Sequence, residues 1–81
     1  TAASVRDPRG EFEAAETGRR VQEALMRLKP EHRAVVVARH FLECSYADIA
    51  TIVGVPEKTV KSRLYTGRQL LKDVLIQSGM H

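Results

Sequence analysis

The segment Val53-Gly54-Val55-Pro56 separates two stretches of helical apolar periodicity and forces the chain to turn sharply between them. Before it, Tyr46, Ile49, Ala50 and Val53 recur at i, i+3, i+4 and i+7, the spacing of one helix stripe. Glycine adopts a left-handed backbone at a helix C-terminus without steric cost, so Gly54 ends that helix, Val55 plugs the corner and Pro56 starts the next. Ser45 is placed to cap the first helix of the pair, with Asp48 as the acidic partner of a capping-box-like start. The second helix runs to about Gln77, where Ser78-Gly79 releases it. A short helix, a glycine turn and a longer helix are the outline of a helix-turn-helix. Ala50, small where the helices approach, and Val60, facing back into the core, sharpen that outline.

Upstream, Val21, Ala24, Leu25 and Leu28 share a stripe and predict a helix from about Glu13 to Leu28, weakened in its first turns by Gly18. Lys29-Pro30 ends it, and Pro30 suits the first position of a helix running to about Glu43, with Ala34, Val37, Ala38 and Phe41 as its buried face. Residues 1–12 contain the breakers Asp7-Pro8 and Gly10 and read as a flexible linker remnant ahead of a domain over 13–78. The expected fold is all-α, a small four-helix domain with a C-terminal helix-turn-helix. A chain of 81 residues with 5% aromatics and no Trp must build its core from Leu, Val, Ile and Ala.

The net charge of +3 says little until it is located. Lys58, Lys61, Arg63, Arg68 and Lys72 lie in a segment with no acidic residue, and the remainder of the chain is close to neutral. Projected at about 100° per residue, Val60, Leu64, Gly67 and Leu71 form the buried side of the last helix. Lys58, Lys61, Ser62, Tyr65, Arg68, Gln69 and Lys72 gather opposite, and Arg63 falls near the core boundary. Such a face suits a DNA major groove: Lys and Arg reach phosphates or guanine edges, Ser and Thr donate to phosphate or base, and Tyr packs against a thymine methyl. Gly67 in mid-helix costs about 1 kcal/mol against alanine, which close packing of another helix would explain.

Other classes find little support. The lone Cys44 allows no intrachain disulfide and no cysteine-rich zinc site, and it fits a reduced, cytoplasmic setting. No apolar run approaches the roughly 20 residues of a membrane span. His32, His40 and His81 lack metal-like spacing, and no glycine-rich phosphate loop exists. No enzyme, cofactor, small-molecule substrate or membrane partner is expected.

The runs Ser45-Tyr46-Ala47-Asp48-Ile49-Ala50, Val53-Gly54-Val55-Pro56 and Thr59-Val60-Lys61-Ser62-Arg63-Leu64 resemble region 4 of bacterial sigma-70-family factors, the extracytoplasmic-function (ECF) group above all. Leu28-Lys29-Pro30-Glu31-His32-Arg33 is similar to that family's lead into its second helix, so the resemblance covers about Arg19 to Leu75. It implies recognition of the promoter −35 element and docking on the β flap of RNA polymerase, with an anti-sigma factor as a further partner. Position by position it puts Thr59, Lys61, Ser62, Tyr65 and Arg68 at DNA and Arg39 and Tyr46 at flanking phosphates. Lys58 stands where the family has a small residue, and Thr66-Gly67 where it has Arg-Ala, so a contact is gained at Lys58 and one lost at Thr66. Among these, Lys61, Ser62 and Arg68 are the expected readers of base edges, and Leu25, Val36 and Ile52 the expected apolar patch for the flap. The resemblance also implies a separate −10-binding domain, so this chain reads as a fragment.

Two other readings compete. The output domain of a response-regulator or quorum-sensing transcription factor shares the four helices and a Thr-Val-Lys motif, but usually has His two residues after that Lys, where this chain has Arg63. A module that binds protein alone would meet an acidic partner with the basic face, and indifference to base sequence would reveal it.

Overall fold

The computed structural model describes residues 8–77 and Gly79, with side chains from Ala14 onward. Expectations that fall on residues 1–7 and on His81 lie outside the described residues. Four helices follow one another: α1 (Pro8–Met26), α2 (Pro30–His40), α3 (Tyr46–Val53) and α4 (Glu57–Gln77). There is no strand among the described residues.

Helix α1 begins at Pro8, earlier than the expected start at Glu13. Pro8 looks like a breaker in the sequence, yet proline is well suited to a first helical turn, where its missing N–H has no partner to lose. The helix closes on tight i to i+3 bonds, Arg27 N–H to Ala24 O at 3.0 Å and Leu28 N–H to Leu25 O at 3.1 Å. These bonds keep Leu28 turned into the core although it lies past the helix end.

Helix α2 stops at His40, short of the expected Glu43, and Glu43 adopts a left-handed φ of 56° as the chain bends toward α3. The expected buried face of α2 is corrected by the structure. Val35 and Val36 are fully buried, Val37 and Ala38 are half-buried, Ala34 is exposed and Phe41 is 56% exposed. The run Val35-Val36-Val37 leaves the rotation of the helix undetermined by periodicity, and contact with α4 fixes it.

That contact is made at Gly67. A Cβ built there would lie 2.8 Å from Val36 Cγ2 and 3.4 Å from the His32 carbonyl oxygen, so only a glycine admits α2 this closely. Helix α4 also packs against α1 and α3 and is the element common to the whole domain. The core comprises Leu25 and Leu28 from the end of α1, Val35 and Val36 from α2, Ile49 from α3, and Val60 and Leu64 from α4.

The helix-turn-helix forms as its sequence implies. Ser45 Oγ accepts the Asp48 N–H at 3.1 Å, and Gly54, at φ 73°, donates its N–H to Ala50 O at 2.9 Å. Only this half of the capping box appears among the described hydrogen bonds. Asp48 is one methylene shorter than the usual Glu and contributes chiefly as a negative charge in the first turn.

Two substitutions test these constraints. Gly67→Ala improves helix propensity by about 1 kcal/mol, but it forces a methyl group against a buried, rotamerically stiff valine at a cost of about 1–3 kcal/mol. A net fall in melting temperature is expected, with Val36→Ala in the same chain costing less than the two single changes added. Ser45→Ala should cost about 1 kcal/mol, read as a drop of about 4–8 °C.

Candidate nucleic-acid interface

With Val60, Leu64 and Gly67 buried, the opposite side of α4 is turned outward. Lys58, Lys61, Ser62, Tyr65, Arg68, Gln69 and Lys72 are all exposed, and Thr59 is half-buried beside the core. Tyr65 is 68% exposed, so its ring is not a core element. Arg63 leaves this face as expected, with Nη2 at 3.9 Å from Glu31 Oε2 of α2.

Electrostatics distinguishes this face from the arginines in the middle of α1. On α1, Arg19 pairs with Glu16 at 2.5 Å and Glu23 at 2.7 Å, and Arg20 pairs with Glu16 at 3.1 Å. The two arginines hold the Glu16 carboxyl below the usual carboxylate range, mainly through their hydrogen bonds. Charge on that stretch of α1 is therefore cancelled locally. Lys58, Lys61, Arg68 and Lys72 form no ion pair among the described residues, so α4 carries positive potential outward.

Two other helices contribute to its flank. Arg39, near the end of α2, donates from Nη1 to the Cys44 carbonyl at 3.0 Å, which ties down the α2–α3 connection. Its guanidinium carbon lies 4.6 Å from the centre of the Tyr46 ring, the first residue of α3. Lys61 reaches back from α4 toward the same ring, with Nζ 5.5 Å from its centre. Arg39, Tyr46 and Lys61 are thus assembled from three helices at the N-terminal end of α3.

Arg68 has a partner the sequence did not disclose. Its Nε–H donates to His40 Nε2 at 2.8 Å, across the gap between α4 and the end of α2. An imidazole accepting at Nε2 is neutral there, with its proton on Nδ1. Burial, then the charges of Arg68 and Arg39, push the His40 pKa down. Periodicity assigns His40 only an exposed position on its own helix, and the approach of α4 is a tertiary fact.

The expected apolar patch is corrected in two of its three members. Leu25 is 7% exposed and Val36 1% exposed, because both belong to the core, whereas Ile52 is 71% exposed on α3. An apolar concavity lies elsewhere, as a groove of about 760 Å³ between α2 and the C-terminal half of α4. Phe41, Leu71, Leu75 and Ile76 form its walls, Val36 reaches its floor, and His40, Arg68 and Lys72 border it. Periodicity puts Phe41 on the buried face of α2, so no sequence signal points to this groove.

A family model described as sigma-70, region 4, matches residues 18–71. The ECF RNA polymerase sigma factor SigM of Mycobacterium tuberculosis is 50% identical over 60 residues, covering 74% of this chain and 31% of that protein. SigE of Mycolicibacterium smegmatis is 41% identical over 71 residues, 85% of this chain and 28% of that protein. SigW of Bacillus subtilis is 33% identical over 55 residues, 68% of this chain and 29% of that protein. The chain spans about a third of the length of these curated relatives. The matched residues run from the middle of α1 through the helix-turn-helix into α4, and the chain belongs to the sigma-70 family as a region 4 domain of ECF type.

Proposed function

We propose that this domain, expected over residues 13–78, recognises the −35 element of promoters as part of an ECF sigma factor, in the cytoplasm and in company with RNA polymerase. The observation that carries the proposal is the uncompensated basic and polar face of α4, presented outward by a capped helix-turn-helix. The second helix of such a pair enters the major groove while the first lies across the backbone. On that geometry Arg39 and Tyr46 contact phosphates beside the groove, Lys58 and Thr59 contact phosphate at the start of α4, Lys61, Ser62 and Arg68 reach base edges, and Tyr65 packs against a thymine methyl. The response-regulator reading has no comparable support, since the matched family is that of the sigma factors.

Polymerase docking has a natural seat in the groove between α2 and α4. Its walls are apolar and open, the features an amphipathic helix such as that of the β flap needs. Ile52 offers a separate apolar contact on α3. An anti-sigma protein covering either surface would silence the domain, and Arg68 borders both.

Binding measured by fluorescence anisotropy against −35-like duplexes and shuffled controls, at two salt concentrations, tests the reading. A preference that persists at the higher salt is expected. Equal affinity for every duplex would sink it and leave a general basic surface. Arg68→Ala should cost about 1–3 kcal/mol and flatten discrimination at one base pair, whereas Arg39→Ala should weaken all duplexes alike and lower the salt slope by about one. Because Arg39 also anchors the α2–α3 connection, a thermal melt accompanies that variant.

The His40–Arg68 bond adds a pH dependence. The folded state lowers the His40 pKa, so below the ordinary imidazole value of about 6.5 the unfolded chain takes up the proton first. The stabilisation is present above that value and is lost as pH falls through it toward the folded pKa. His40→Gln retains an acceptor that does not titrate. Melting curves from pH 7.5 to 5 should therefore show the wild type losing stability relative to His40→Gln, and parallel curves would remove the bond's role.

A further inference from the structure

The cluster at the start of α3 has a property that the promoter-reading proposal does not use. Two cations from different helices lie over a single aromatic ring, Arg39 at 4.6 Å and Lys61 at 5.5 Å from its centre. Each is within the range in which a ring quadrupole attracts a cation. The two charges repel one another, and neither has a carboxylate in ion-pair contact among the described residues. Glu43 borders the same cavity as Arg39 and Asp48 lies in the first turn of α3, yet neither is in ion-pair contact with the two cations. An anion within reach of both charges would offset that repulsion.

We propose that Tyr46 is a positioning residue that holds Arg39 and Lys61 as a two-cation clamp for one backbone phosphate, which makes Lys61 a phosphate ligand and not a reader of base edges. This rests on the DNA-binding reading above and assigns different tasks to two of its residues, Lys61 and Tyr46. Lys61 leans from α4 back to the first residue of α3, the helix that crosses the sugar-phosphate backbone in a docked helix-turn-helix. Ser62 and Tyr65 remain exposed on α4 beside it. A lysine ammonium is a compact point charge without the planar fork that reads guanine in two bonds, so phosphate suits it well. The Arg39 guanidinium, by contrast, is anchored: one terminal nitrogen is committed to the Cys44 carbonyl and its plane is near the ring, which leaves other N–H groups to donate. The ring confines both side chains before DNA arrives and so lowers the entropy cost of forming the contact.

The test uses the full 81-residue chain and anisotropy titrations of duplex DNA over a range of salt. Lys61→Ala should weaken every duplex by a similar factor, about five- to tenfold near 0.1 M salt, and reduce the slope of log K against log salt by about 0.9. A changed preference at one base pair with an unchanged slope would make Lys61 a base reader and overturn the proposal. Tyr46→Phe keeps the ring and should stay within about twofold of wild type, while Tyr46→Leu should lose about three- to fivefold. Equal losses in Phe and Leu would assign the effect to the hydroxyl and end the platform role. NMR supplies a readout free of DNA: Lys61 ε-proton and Arg39 δ-proton shifts should carry the ring current of Tyr46 and lose it in Tyr46→Leu, provided the variant melts as a folded domain. Failure of the promoter reading is distinguishable. If wild type binds all duplexes alike, that reading falls while the slope change at Lys61 still decides the clamp, and if it binds none, both fall.

Discussion

The meeting of Val36 with Gly67 sets the spacing on which the rest of this domain depends. Helix α4 has only Val60, Leu64 and Gly67 fully buried, a narrow stripe for a helix of 21 residues. A glycine in that stripe admits the backbone of α2 to near contact with α4, as the 3.4 Å approach to the His32 carbonyl shows. Any larger residue would push the helices apart, and the far end of α2 would move with them. Arg39, His40 and Phe41 are at that far end. The same packing decision that closes the core thus places one residue over Tyr46, one on Arg68 and one in the wall of the apolar groove.

Charge follows a comparable economy. The domain is only modestly basic, yet α4 projects positive potential because its stretch from Lys58 to Lys72 holds no acidic residue. Glu16 and Glu23 are bound to arginines of their own helix, and Glu31 stands near Arg63 at the edge of the core. Exposed pairs of this kind add little to stability. Their larger effect is to determine which cations remain unneutralised, and those on the outer face of α4 are among them. A polyanion is then drawn to one side of the molecule, and orientation follows from where charge is left uncancelled more than from its total.

Much of this was legible in the sequence, for identifiable reasons. The turn at Gly54, the cap at Ser45 and the stripe of α4 are local features whose residues determine their own conformation, and each was found where expected. The role of Gly67 was legible too, since a glycine in mid-helix demands a reason. The rotation of α2 was not: three successive valines fit several buried faces, and only contact with a second helix selects one. For the same reason Val36 could not be recognised as a core residue instead of a docking residue, whereas Leu25 lay on the apolar stripe of α1 and its burial was legible there. Pro8 misled because proline breaks a helix interior but favours a first turn, and the sequence around it does not say which position it holds. The groove, the bond from Arg68 to His40 and the lean of Lys61 toward Tyr46 all join residues from separate helices, so no periodicity within one helix contains them.

The groove and the basic face share a boundary, and Arg68 occupies it. Its Nε is engaged by His40, its side chain borders the groove, and it stands on the outward side of α4. A guanidinium held at Nε still has four N–H groups on its terminal nitrogens, which is sufficient for a bidentate contact with a base edge or a carboxylate. Such a contact cannot be made in two directions at once. A partner seated in the groove that recruits this guanidinium would weaken its use by DNA, and one that leaves the His40 bond intact would keep it oriented for DNA. By linkage, the preference is reciprocal: DNA that engages Arg68 favours the partner that does not. The sign of coupling between the two surfaces is therefore set by the charge a partner presents at this one position, while the apolar walls around Phe41, Leu75 and Ile76 supply affinity without regard to it.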